Sequence, residues 1–185
     1  MSQLLKFGFV LGIICLIATL VLAVTYEITR PKIEAQLKKE EQAALKEIIP
    51  NADYFDAKSA DGIQYFEAVR AKNVIGYCLK ITATGYCGYI RMIAGIDTKG
   101  VIKGISVLEQ YETPGLGARI VEVKTGEGEP WFLKQFKGKI AANIYVQKDI
   151  NAITGATISS KAVTDAVRDA AKTFFAKLKA TKDTK

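Results

Sequence analysis

The chain's 185 residues, 49% of them hydrophobic, are enough for one domain with a real core plus an accessory segment. Lys and Arg number 26 against 19 Asp and Glu, a formal net charge of +7; the positive charge is spread along the chain with no basic block interleaved with aromatics, which argues against a nucleic-acid partner. His is absent, which excludes Ser-His-Asp and Cys-His catalysis, His-ligated metals and a His-ligated haem.

Residues 1–6 read as a short N-terminal tail. Residues 7–26, FGFVLGIICLIATLVLAVTY, carry no charge, and about 20 such residues span a hydrocarbon core of roughly 30 Å. The run is long for the apolar part of a signal peptide and no small-x-small cleavage site precedes a mature start, so an uncleaved transmembrane helix is expected. Its flanks encode orientation weakly. Lys6 stands on one side and Arg30, Lys32, Lys38 and Lys39 on the other, which by the positive-inside rule puts the large domain in the cytoplasm, although long domains translocate largely regardless of charge.

Pro31 is expected to start a second helix at its first turn. Residues 27–50 then read as an amphipathic stalk, with Ile33, Leu37, Ala44, Leu45, Ile48 and Ile49 set among charged residues and Pro50 and Asn51 as the stop. From about residue 62 the pattern becomes one of strands. IQYFEAV and VIGYCLKITATG are rich in β-branched and aromatic residues, and GYIRMIAGIDTKGVIKGISVLEQY reads as two strands joined by the turn DTKG at 97–100. KIAANIYV at 139–146 reads as one more short strand. Helical spacing returns after Ile158 at Val163, Ala166, Val167, Ala170, Phe174 and Leu178, and residues 181–185 read as a frayed end. The fold class expected is α+β: a single N-terminal transmembrane helix, then a domain over 51–180 with a mixed or antiparallel sheet and a C-terminal helix.

The three cysteines, at 15, 78 and 87, have no metal-ligand spacing, so no metal or iron–sulfur site is expected. Cys78 and Cys87 read best as ordinary strand residues, with pairing in an oxidising compartment left open as the alternative. No GxGxxG follows a strand and opens a helix, so the chain lacks a nicotinamide-binding fingerprint.

The densest run of short side chains is NAITGATISSKAV at 151–163. Thr157 falls where a loop becomes the last helix. Free N–H groups and the positive end of the dipole attract a phosphate there, Gly155 and Ala156 let a bulky group approach the backbone, and Lys161 adds a positive charge one turn on. A plain Thr/Ser cap with no ligand explains the same residues, and local physics alone leaves both readings open. Upstream, ETPGLG at 112–117 puts Pro114 and Gly115 at the centre of a type II turn.

TGATIS at 154–159, YETPGLGARI at 111–120 and the glycine-rich strand pair at 85–110, behind one N-terminal anchor, resemble the covalently flavinylated FMN-binding domains. The best fit is the G-subunit family of the Rnf (Rsx) ion-translocating electron-transport complexes, with the C subunit of the Na+-translocating NADH:quinone reductase a close relative. The resemblance implies an FMN-binding domain over 51–180 and FMN esterified through its phosphate to Thr157 by a flavin transferase acting on FAD. It implies flavin contacts at Thr154, Gly155, Ala156, Ser159 and Lys161, and at Glu112, Thr113, Gly115 and Leu116, with the isoalloxazine beside the Pro114 turn. Tyr86 and Tyr89 are weaker candidates, because aromatics at alternate strand positions usually belong to a core. The resemblance departs at Asn151, where an acid is usual, and at Cys87, in a turn where Gly or Ser is expected.

The expected role is electron carriage, with no catalytic acid, base or nucleophile in the chain, in company with the other membrane and peripheral subunits and with membrane lipid. The domain is expected on the extracytoplasmic side of the cell inner membrane. Two alternatives stand beside this: a stand-alone membrane-anchored flavin reductase, and a cofactor-free tethered assembly module in which TGAT is only a cap.

Overall fold

The computed structural model describes residues 3–60 and 62–183. The chain divides into two compact units, Met1–Glu40 and Glu41–Lys185. Among the described residues one helix is long and apolar enough to cross a membrane. This helix, α1, runs unbroken over Gln3–Ile48 with Pro31 inside it. The tail expected over residues 1–6 is therefore helical from Gln3, and Pro31 does not begin a new helix. A proline in a helix interior forgoes its own N–H bond, but a long helix already nucleated on both sides propagates past one missing bond.

The second unit is built on a five-stranded antiparallel meander: β1 (Tyr54–Ala60), β2 (Ile63–Arg70), β3 (Asn73–Thr84), β4 (Tyr89–Asp97) and β5 (Ile102–Gln110), adjacent in chain order. At the β4–β5 turn the Asp97 carbonyl accepts the Gly100 N–H at 3.0 Å, and the Asp97 carboxylate accepts the Lys99 and Val101 amides at 2.9 Å each. Two helices follow, α2 (Trp131–Lys134) and α3 (Thr157–Asp183). The α3 backbone passes through residues 181–183, part of the expected frayed end, because no Gly or Pro stops it; 184 and 185 lie outside the described residues.

Alternation along the strands gives the sheet two apolar faces. On one, Leu79, Ile81 and Ala83 of β3 and Ile90, Met92, Ala94 and Ile96 of β4 pack with Val163, Val167, Ala171 and Phe174 of α3 and with Phe132 and Phe136. On the other, Ala44, Leu45, Ile48 and Ile49 at the end of α1 and just beyond it pack with Ala68, Cys78 and Ile93. Here Gly95 makes room: a Cβ on it would lie 2.0 Å from the Ile48 Cγ2. The last part of the expected stalk thus belongs to the domain core. Burial in this second face pushes the Cys78 thiol up to about 12, and Cys15, Cys78 and Cys87 are all free.

KIAANIYV is not a strand. Val101 and Ile140 form a single bridge, a 3-10 turn follows over Ala141–Asn143, and Val146 bridges Ile150. Ala141 and Ile144 are both buried, and burying residues three apart requires a turn rather than an extended chain.

Candidate functional site

The segment into α3 is fastened from both ends. Gln135 holds Asn151 twice, accepting its N–H at 2.8 Å and donating to its carbonyl at 3.3 Å. The Ile153 carbonyl accepts the Ala156 N–H at 2.9 Å, closing a four-residue turn with Gly155 at φ +79 in its third position. That is left-handed backbone, which glycine adopts without a Cβ clash. Fully buried Ser160 locks the turn: its hydroxyl oxygen accepts the Ile153 N–H at 3.0 Å and donates to the Ala156 carbonyl at 2.9 Å. Thr157 is thereby fixed as the first residue of α3 with its side chain exposed. The first amides of a helix have no acceptor within it.

The second loop closes as expected. The Thr113 carbonyl accepts the Leu116 N–H at 3.1 Å, and Gly115 at φ +75 occupies the position where a type II turn requires positive φ. The two loops meet, since a Cβ on Gly155 would lie 3.3 Å from the Leu116 Cδ2. Between them opens a cleft of about 430 Å³, within the range of roughly 300–1,000 Å³ typical of ligand sites.

The cleft brings together Glu112, Thr113, Leu116, Gly155, Ala156, Thr157 and Ser159, all read from the sequence, and adds Gly117 and Ile158, which were not. Ile158 follows Thr157, so it carries no pattern of its own; only the helix start turns it to the cleft, 56% exposed. Tyr86 also lines the cleft, and both Tyr86 and Tyr89 are exposed rather than core, because Tyr86 sits in the β3–β4 turn and Tyr89 opens β4. Thr154, Gly115 and Lys161 are not among the lining residues. Thr154 and Gly115 sit within the two turns, shaping the loops. Lys161 is ion-paired with Asp165 on α3. Partial burial works to raise the Asp165 carboxyl, but hydrogen bonds from Lys161 and Arg168 outweigh it and hold that carboxyl below its usual range.

Glu112 is buried. Its Oε1 accepts the Cys87 N–H at 3.2 Å and its Oε2 accepts the Ser159 hydroxyl at 2.7 Å, so both carboxylate oxygens are engaged with the protein itself. The Cys87 Sγ lies 3.0 Å from the Thr113 Oγ1 at the same end of the cleft. Among the described residues no cluster of His, Cys, Asp and Glu could hold a metal ion.

The residues present fit FMN. Small Gly155 and Ala156 and free helix-start amides suit its phosphate, and exposed Tyr86, Leu116 and Ile158 suit a flat apolar ring. Residues 85–172 match the FMN-binding domain model and residues 1–48 match that of the RnfG N-terminal region. Fold and cleft therefore define an FMN-binding domain behind an N-terminal apolar helix. The G subunit of an ion-translocating oxidoreductase complex from Pasteurella multocida (strain Pm70) is 32% identical, covering 93% of this chain and 94% of its own. The G subunit of the Na(+)-translocating ferredoxin:NAD(+) oxidoreductase complex from Acetobacterium woodii is 33% identical over 88% and 87%. The G subunit of an ion-translocating oxidoreductase complex from Methanosarcina acetivorans is 34% identical over 85% and 87%. The chain belongs to the family of G subunits of ion-translocating oxidoreductase complexes. The crystal structure of Shewanella oneidensis NqrC shares the fold, with a TM-score of 0.50 at 20% identity over 71% of this chain and 73% of that one.

Proposed function

We propose that this chain is a membrane-anchored electron-carrying subunit of an ion-translocating oxidoreductase complex, with FMN in the cleft esterified to Thr157. The observation that carries the reading is the exposed Thr157 hydroxyl at the start of α3, fixed by Ser160 and Gln135 and facing the turn at Thr113–Leu116 across the cleft. In attachment by a flavin transferase, the Thr157 oxygen bonds to the flavin-side phosphorus of FAD. The phosphorus–oxygen bond to the AMP half breaks, AMP leaves, and the hydroxyl proton passes to the transferase. Gly155, Ala156 and the first amides of α3 would hold the phosphate, and Tyr86, Leu116 and Ile158 would flank the ring. The bound flavin supplies one- and two-electron chemistry, while the protein supplies position and electrostatics. An ester keeps the cofactor in an open cleft during docking to a redox partner. Intact-mass measurement of the protein made with its transferase tests the reading: one FMN-sized adduct on a peptide containing Thr157 is expected, and an unmodified chain would overturn it. Co-purification with the other membrane subunits separates this role from a stand-alone flavin reductase.

The cleft's one acidic lining residue tunes this role. Glu112→Gln keeps the shape and removes one negative charge. A carboxylate disfavours reduced, anionic forms of a nearby flavin, so the midpoint potential is expected to rise by tens of millivolts, the scale of a partly screened unit charge. A redox titration of the flavin-loaded chain reads this; an unchanged or lower potential would remove Glu112 from the flavin's electrostatic field.

The domain lies outside the cytoplasm in this proposal. Kinship with the flavinylated family supports that side, and the flanking Lys and Arg argue weakly for the other. Protease added to intact spheroplasts should digest the domain. Protection until lysis would reverse the topology.

A further inference from the structure

We infer that Glu112 is a positioning residue: its buried carboxylate ties the first turn of α3 to the β3–β4 turn and so holds Thr157 in place for flavin attachment. The inference rests on the reading of Thr157 as the attachment residue. A carboxylate is seldom buried unless its oxygens are paired. Glu112 is 6% exposed, and the donors on its oxygens, the Cys87 amide and the Ser159 hydroxyl, are neutral and lie 25 and 47 residues away in the chain. One side chain thus joins three segments that meet only through the fold.

The protein has cleared space for this carboxylate. A Cβ on Gly85 would lie 2.0 Å from its Oε1, and one on Gly117 2.1 Å from its Oε2. Neither glycine has positive φ, so their contribution is room rather than backbone freedom. The Gly85–Gly88 turn is itself closed by the Gly85 N–H on the Gly88 carbonyl at 2.8 Å, and the Glu112 amide is held by the Gln110 side chain at 2.8 Å. The pin is therefore anchored at its own backbone and at its far partner.

Ser159 lies two residues beyond Thr157. Both residues line the cleft, Ser159 buried and tethered to Glu112 and Thr157 exposed at the helix start. Glu112 acts on the Thr157 hydroxyl through the helix, and a negative charge at a helix N-terminus is itself favourable.

The test is the rate of flavin attachment to the full chain in detergent, with FAD and the flavin transferase, read by in-gel fluorescence and intact mass. Ser159→Ala, Glu112→Ala and Gly85→Ala should each slow attachment by roughly 10- to 100-fold, the usual consequence of displacing a reacting group through its support. Glu112→Gln should stay close to the wild-type rate, because its amide oxygen still accepts from Cys87 and its NH2 donates to the Ser159 oxygen. Gly85→Ala should add little in the Glu112→Ala background, since the two carboxylate atoms it would strike within 3.0 Å are gone and only the Gly88 carbonyl, 3.1 Å away, remains. Hydrogen exchange on the flavin-free chain gives a readout independent of loading: the Cys87 amide should lose protection in Glu112→Ala and keep it in Glu112→Gln. Wild-type rates in Ser159→Ala and Gly85→Ala, or no rescue by Glu112→Gln, would overturn the inference while leaving Thr157 as the attachment residue. A wild-type chain with no adduct at Thr157 would overturn both.

Discussion

Thr157→Ala is expected to abolish covalent flavin: no FMN-sized mass increment and no fluorescent band on a denaturing gel. The fold should survive. Thr157 is exposed and its neighbours, not its own side chain, fasten the loop: Ser160 bonds Ile153 and Ala156, and Gln135 bonds Asn151. Losing a hydroxyl at a helix start typically costs about 1 kcal/mol, so the melting temperature should move by only a few degrees. Thr157→Ser keeps the nucleophilic oxygen and should still be modified. Thr154→Ala should be mild, because Thr154 does not line the cleft. A fluorescent band that persists in Thr157→Ala would move the attachment elsewhere in the chain.

What could be read from the sequence follows the range of the forces involved. The two loops were legible because their chemistry is local: Gly115 and Gly155 sit where a turn needs positive φ, and Thr157 sits where a helix begins. Strands β2 to β5 were legible from their β-branched and aromatic residues. β1, YFDAKSA, was missed because Asp56, Lys58 and Ser59 suit a polar sheet edge rather than a strand pattern. Residues 139–146 misled because their apolar content matched a strand, while their burial at Ala141 and Ile144 has the spacing of a turn. Pairings distant in sequence left no trace in it. Nothing local says that Glu112 meets Ser159, that Gln135 holds Asn151, or that Ile48 and Ile49 fill a second face of the sheet. Lys161 reads as a phosphate contact on its position alone, and its pairing with Asp165 one turn on depends on a helix register that no single residue announces.

Phe136→Ala should have the largest effect on stability, and it should reach the site as well. Phe136 and Phe132 are both fully buried, edge to face with ring centroids 5.5 Å apart, in the core beneath α3. Removing such a ring costs its transfer free energy plus that of the cavity it leaves, about 3–5 kcal/mol. For a domain of this size that lowers the melting temperature by about 10–15 °C. The neighbouring Gln135 is the residue that grips Asn151 at the start of the loop into α3. A hollow under it should loosen that grip and slow flavin attachment at Thr157 below the melting temperature. Phe136→Leu, which refills most of the volume, should recover much of both losses. The measurements are a thermal melt of the full chain in detergent, followed by near-ultraviolet circular dichroism, and the attachment rate well below the transition. A melting temperature unchanged in Phe136→Ala would mean that the core collapses into the space at no cost. A lowered melting temperature with a wild-type attachment rate would mean that the Gln135–Asn151 contact is held independently of the aromatic pair.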